Sequence, residues 1–169
     1  MTRIGRTPLS LALGAKRARW APALLLLGAG LLTPRVVSGA ACGVTAVTPV
    51  GFGTYNPNAA TALDALGSVT YQCTILGALD VVYIDLGKGS SGTFTPRRLV
   101  SAGHTIDYNL YLDAARMVVW GDGTGGTQSS PATILTLFPV TLTVYGRIPP
   151  LQNAFVGSYV DTIVVTANF

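Results

Sequence analysis

The sequence predicts an all-β domain built as a sandwich, and three observations predict it. From Cys42 onward, apolar and polar residues alternate with a period of two rather than 3.6. The alternating runs are short and are separated by turn clusters drawn from the chain's 20 glycines and 10 prolines. Only the stretch around Asn58 to Leu66 shows a helical stripe, and that one is weak. Short strands at this spacing, with Gly-rich turns between them, read as two packed sheets.

The first 40 of the 169 residues stand outside that pattern. A basic region runs to Trp20, an apolar core follows from Ala21 to Leu32, and the small residues Ser38, Gly39 and Ala40 precede an expected cut ahead of Ala41. The apolar core falls short of the roughly 20 residues needed to span a bilayer, so no transmembrane segment is expected. Residues 1–40 therefore read as a secretory signal peptide, and 41–169 as one exported domain. Six of the eleven Lys and Arg residues precede Cys42, whereas all seven acids, every one an Asp, come later. After Ala40 the formal net charge is −2, and a nucleic-acid partner loses its electrostatic basis.

Two cysteines, Cys42 and Cys73, remain after cleavage, and an oxidising compartment favours joining them. A lipidated Cys42 is the competing reading. Against it, Gly39 stands where a lipobox carries an aliphatic residue, and lipidation would leave Cys73 unpaired.

Taken in order, Val69, Tyr71, Cys73 and Ile75 form the inward phase of a strand ending near Gly77. Val81 to Leu86 is the next strand, stopped by the run from Gly87 to Gly92. Ile106, Tyr108, Leu110 and Leu112 define a third. The run from Ile134 to Ile148 contains Pro139, which places a bend or an edge there. The last segment, Gly157 to Phe169, alternates Tyr159, Asp161, Ile163, Val165, Ala167 and Phe169 with Val160, Thr162, Val164, Thr166 and Asn168.

Two G-x-G-x-x-G matches, Gly87 to Gly92 and Gly121 to Gly126, invite a nucleotide reading. That chemistry needs a helix N-terminus behind the glycines to hold the phosphates. Both runs lead instead into Thr, Ser, Gln and Pro, so they read as turns, with Asp122 suited to an Asx-turn. No cofactor is expected.

Catalytic groups are equally sparse. His104 is the one histidine, there is no glutamate, and no G-x-S-x-G fixes a nucleophile. Asp80 with Asp85, and Asp107 with Asp113, lack the spacing of a metal site. Asp161 stands apart because it lies on the inward phase beside Tyr159 and Ile163. A buried carboxylate needs partners, and a network with Arg147 or loop amides is expected to supply them. Trp120, Tyr145 and Phe155 read as core or corner aromatics.

The chain carries Cys42, FGTYNP (52–57), YQC (71–73), RRL (97–99), YNLYLD (108–113), VWGDGTGGT (119–127) and the run from Val144 to Phe169. In this order they resemble the spore coat protein U domain family, which includes the pilins of archaic chaperone-usher pili. The resemblance covers 42–169. It implies an incomplete immunoglobulin-like β-sandwich lacking its final strand, with a groove filled by another molecule. In the periplasm a chaperone supplies that strand; after passage through an outer-membrane usher, a neighbouring pilin subunit does. By this carry-over, the interface is Tyr159, Asp161, Ile163, Val165, Ala167 and Phe169, with the terminal aromatic and carboxylate as anchors. The expected function is non-enzymatic: a secreted structural subunit of a surface appendage or spore coat. The alternative is an adhesin or ligand-binding module at a fibre tip, working through loops such as Gly121 to Ser130 or Phe52 to Pro57. Cleavage before Ala41 would leave no donor segment ahead of Cys42, so the chain would accept a strand and give none.

Overall fold

Period-two patterning closes into two antiparallel sheets. The computed structural model describes residues 41–75, 81–131, 133–134 and 137–169. The expected signal segment lies outside them. The strands are β1 (Ala41–Thr48), β2 (Leu63–Ile75), β3 (Val81–Leu86), β4 (Arg97–Ser101), β5 (His104–Tyr111), β6 (Thr133–Ile134), β7 (Val140–Ile148) and β8 (Val165–Asn168). One sheet has the order β1-β2-β7-β5-β4, and the other β6-β3-β8. Every pairing between strands is antiparallel.

The inward phases expected of β2 and β5 meet, and one face of β3 joins them. Val69, Tyr71 and Cys73 from β2, Val82, Ile84 and Leu86 from β3, and Ile106, Tyr108 and Leu110 from β5 are all buried in one cluster. The aromatic and β-branched side chains fill the space between sheets, as in an immunoglobulin-like sandwich. Trp120 completes the core with no exposed surface, and its indole N–H donates to the Ile84 carbonyl at 2.8 Å.

Cys42 and Cys73 face one another across β1 and β2 and form a disulfide. The Cys42 thiol is thereby consumed in a cross-strand bond, which disposes of the lipidation alternative for this fold.

The strand pattern departs from expectation at three places. The Asn58 to Leu66 stretch is not helical: β2 already begins at Leu63, where Leu63 to Gly67 pair with Ile148 to Val144 of β7. Long-range ladder pairing overrides the local helical preference of Ala and Leu. β4, opening on two arginines, is an unforeseen strand. The last segment is a shorter strand than the alternation suggests. Val160 bridges to Val100 at the edge of the five-stranded sheet, and only Val165–Asn168 pair with β3. The chain thus crosses from one sheet to the other over residues 161–164, guided by the Gly87 N–H bonded to the Val164 carbonyl at 2.8 Å. Pro139 acts as expected, since β7 begins just after it.

Two glycines inside strands permit a close approach. A Cβ on Gly67 would stand 2.6 Å from the Thr48 carbonyl oxygen, and one on Gly146 would stand 2.5 Å from Val50 and 2.8 Å from Phe52. Segment 48–52 is therefore pressed onto the inner face of β2 and β7, where only glycine leaves room. Gly67→Ala, which meets backbone rather than a movable side chain, is expected to destabilise the domain by about 1–3 kcal/mol. Urea unfolding measures it, and Gly146→Ala should cost less.

Candidate functional site

Among the described residues, five strands in one sheet face three in the other. A groove runs beside β8, which contributes Val165 to it. Its floor is Val69, Leu99, Tyr108, Leu110 and Val144. One wall is Val47 to Val50 with Phe52, and the other is Asp161 to Ile163 with Val165. This narrow part encloses about 300 Å³. It opens into a wider part of about 910 Å³ between Pro49 to Tyr55 and Ala154 to Asp161. Pro49, Val50, Phe52, Leu99 and Asp161 line both, so the two form one continuous groove.

β8 borders the groove as an edge strand, paired to β3 on its other side. Tyr159, Ile163, Val165 and Ala167 pack against the core cluster as half-buried residues, while Val160, Thr162, Val164, Thr166 and Asn168 are exposed. The predicted alternation is therefore realised along the whole segment except at its end. Phe169, placed on the inward phase, is 56% exposed because β8 ends at Asn168.

Asp161 pins the crossing of the last segment. Its Oδ1 accepts the Ser90 N–H at 2.7 Å and the Ser90 hydroxyl at 2.6 Å, and its Oδ2 accepts the Tyr108 hydroxyl at 2.6 Å. A Cβ on Gly89 would collide with this carboxylate, and the positive φ of +69° there suits glycine alone. Burial pushes the Asp161 carboxyl up, but the donated bonds from Ser90 and Tyr108 outweigh it and hold the group below its ordinary value. Burial and the bond to Asp161 push the Tyr108 phenol upward.

Loop amides are thus partners of Asp161, as expected, but Arg147 is not. Arg147 points to the outer face of β7 and makes a bidentate pair with Asp64, its register partner on β2, at 2.7 and 2.9 Å. The Asp161 contribution to stability is complete above the ordinary carboxylate value of 3.8 and is lost as pH falls through its lower folded value. Thermal melts between pH 7 and 2 should show an acid limb below pH 3.8 that is flatter in Asp161→Asn. An unchanged limb would remove Asp161 from that role.

Behind this pin sits Arg97, with no exposed surface. Its guanidinium donates to the carbonyls of Gly87 (3.0 Å), Leu86 (3.2 Å) and Trp120 (2.7 Å), and to Asn109 Oδ1 at 2.8 Å. Burial pulls its pKa down, opposed by Tyr108, Asp161 and Asp122. Sequence reading found neither Arg97 nor the Val47 to Phe52 wall.

The remaining sequence candidates serve the scaffold. Gly121 to Gly126 forms turns in which Asp122 accepts the Thr124 N–H at 2.9 Å. Phe155, expected as a core or corner aromatic, is not in the core: it stacks on His104 at 4.0 Å and is 56% exposed. Tyr145 lies on the outer face beneath Arg116. Among the described residues no group of His, Cys, Asp or Glu could hold a metal ion, and no helix is long and apolar enough to cross a membrane.

The sequence profile of the Spore Coat Protein U domain matches residues 29–166. The chain is 38% identical over 133 residues to Protein U of Myxococcus xanthus, covering 71% of each chain. Its fold is similar to that in a chaperone–tip adhesion subunit pre-assembly complex from the archaic chaperone-usher Csu pili of Acinetobacter baumannii, with a TM-score of 0.53 at 23% identity. That likeness covers 77% of this chain and 40% of the other, so the chain spans less than half of the solved one. The family is one of structural rather than enzymatic proteins. With an immunoglobulin-like sandwich, a cross-strand disulfide and a profile match over most of its length, the chain belongs to the spore coat protein U domain family.

Proposed function

We propose that this chain is an exported structural subunit of a surface appendage or coat, and that a β-strand from another protein completes its sandwich. One observation carries the reading: the groove beside the free edge of β8, floored by core residues of the opposite sheet. An added strand would satisfy the unpaired ladder groups of β8 and place alternate side chains over the floor. The inward set Tyr159, Asp161, Ile163, Val165 and Ala167 would meet the incoming strand, with Phe169 at its end.

The chemistry of the partner follows from the groove. The lining of its narrow part is apolar except for Asp161 and the Tyr108 hydroxyl, which bond one another, together with Thr48, Ser68 and Thr162. The strand should therefore be uncharged and apolar at alternate positions. In this reading a periplasmic chaperone is the transit donor, an outer-membrane usher the exit, and a neighbouring subunit the final donor. Residues 1–40 supply the export signal in this reading.

Recovery of the untagged protein from the periplasm tests it. A partner in one-to-one amount, lost on deleting Val165 to Phe169, is the expected result. Recovery from the periplasm without any partner would sink the reading and favour the adhesin alternative, in which changes in Gly121 to Ser130 abolish attachment without affecting export.

A further inference from the structure

The groove is tied shut at its wide end. Tyr55, on the wall formed by residues 49–57, donates its hydroxyl to the Pro149 carbonyl at 3.0 Å and accepts the Gln152 N–H at 2.8 Å. Gln152 is in turn fixed to β5, where its Oε1 accepts the Asp107 N–H at 2.7 Å and its Nε2 donates to the Asp107 carbonyl at 2.8 Å. The opposite wall, Ala154 to Asp161, continues directly from this loop. It is held by the Phe155 N–H donating to the Tyr159 hydroxyl at 3.1 Å and by the His104–Phe155 stack. A Cβ on Gly157 would stand 2.5 Å from the Ser101 hydroxyl, so the loop also seats closely on the end of β4. One phenol thus joins the 49–57 wall to the loop, between Ile148 and Ala154, from which the opposite wall continues.

We infer that the Tyr55–Gln152 strap is an end-stop that sets the length and register of the strand the groove accepts. This rests on the strand-accepting reading above. The physical reason is that β pairing alone leaves register loose: a strand sliding along a uniform apolar edge loses little at each two-residue step. A closed end removes that freedom, because a strand pushed past Tyr159 would have to break two hydrogen bonds of Tyr55 or bend out of the ladder. The groove wall from Tyr159 to Ile163 and the β8 edge from Val165 to Asn168 together run for about ten residues, at roughly 3.3 Å each, with ladder pairing open along β8 itself.

The test uses the purified disulfide-bonded chain and synthetic (Thr-Val)n peptides of increasing length. Each carries two lysines at one terminus, so that the tagged end stays outside. Two peptide sets, tagged at the N- or the C-terminus, cover both strand directions. For one set, affinity should rise with each Thr-Val pair up to about ten residues and then stop rising. In Tyr55→Phe the plateau should move out by at least one pair, with about tenfold tighter binding of the longer peptides. Gln152→Ala, which frees the loop from β5 but keeps Tyr55, gives the same shift if the Phe variant folds poorly. A plateau at the same length in both variants would overturn the end-stop while leaving strand acceptance intact. Failure of every peptide, at every length, to bind the wild-type chain would overturn strand acceptance, and the end-stop with it.

Discussion

Replacing Arg97 by methionine is expected to cost about 3–5 kcal/mol of folding stability. Methionine fills much of the same volume, so the loss is not a cavity effect. It arises because the carbonyls of Leu86, Gly87 and Trp120 and the Asn109 side-chain oxygen lose a shared donor inside the sandwich. Each buried acceptor left unpaired costs about 1–3 kcal/mol, partly recovered where the loops near Gly87 can admit water. Arg97→Lys should recover little, because an ammonium on a flexible stem cannot serve four acceptors spread over a planar fork. Urea unfolding decides it: a loss under about 1 kcal/mol would show that the fork is replaceable. The effect should reach the groove as well, since Arg97 holds the end of β3 against β5 behind the Asp161 pin.

The second large effect is expected from the Cys42→Ser, Cys73→Ser double variant. The disulfide closes a loop with a sequence separation of 31 residues. Constraining a loop of that size in the unfolded chain is worth about 3.5–4 kcal/mol in the chain-entropy model. The same bond fixes β1, the edge strand that leads into the Val47 to Val50 wall. Urea unfolding of the double variant, beside the wild type with and without reductant, measures both effects. Equal midpoints for the oxidised wild type and the double variant would contradict this account of the bond.

How much of this was legible in the sequence depends on where each signal lives. The inward phases of β2, β5 and the last segment were readable, because a half-buried strand must alternate. The start of β2 was not. Its Ala- and Leu-rich residues have local helical preference, and only the β7 partner, far along the chain, makes them a strand. β4 was hidden by its two arginines, because a charged residue reads as exposed unless its acceptors are known. The Pro49 to Tyr55 wall reads as a glycine-rich loop, although Gly67 and Gly146 within strands were a signal that another segment presses close. Asp161 was identified by its phase, and of its two expected partners the loop amides hold while Arg147 does not: Arg147 lies on the outward phase of β7, directly across from Asp64. That β8 stands at a sheet edge is a property of topology, and no local pattern records it.

Amide hydrogen exchange of the chain alone and in its native assembly tests the central claim most directly. The account predicts that assembly adds strong protection to residues 161–168 and 47–50, the two walls of the groove, and leaves the β4–β5 hairpin unchanged. Equal protection of those walls in both states would mean that no strand enters there.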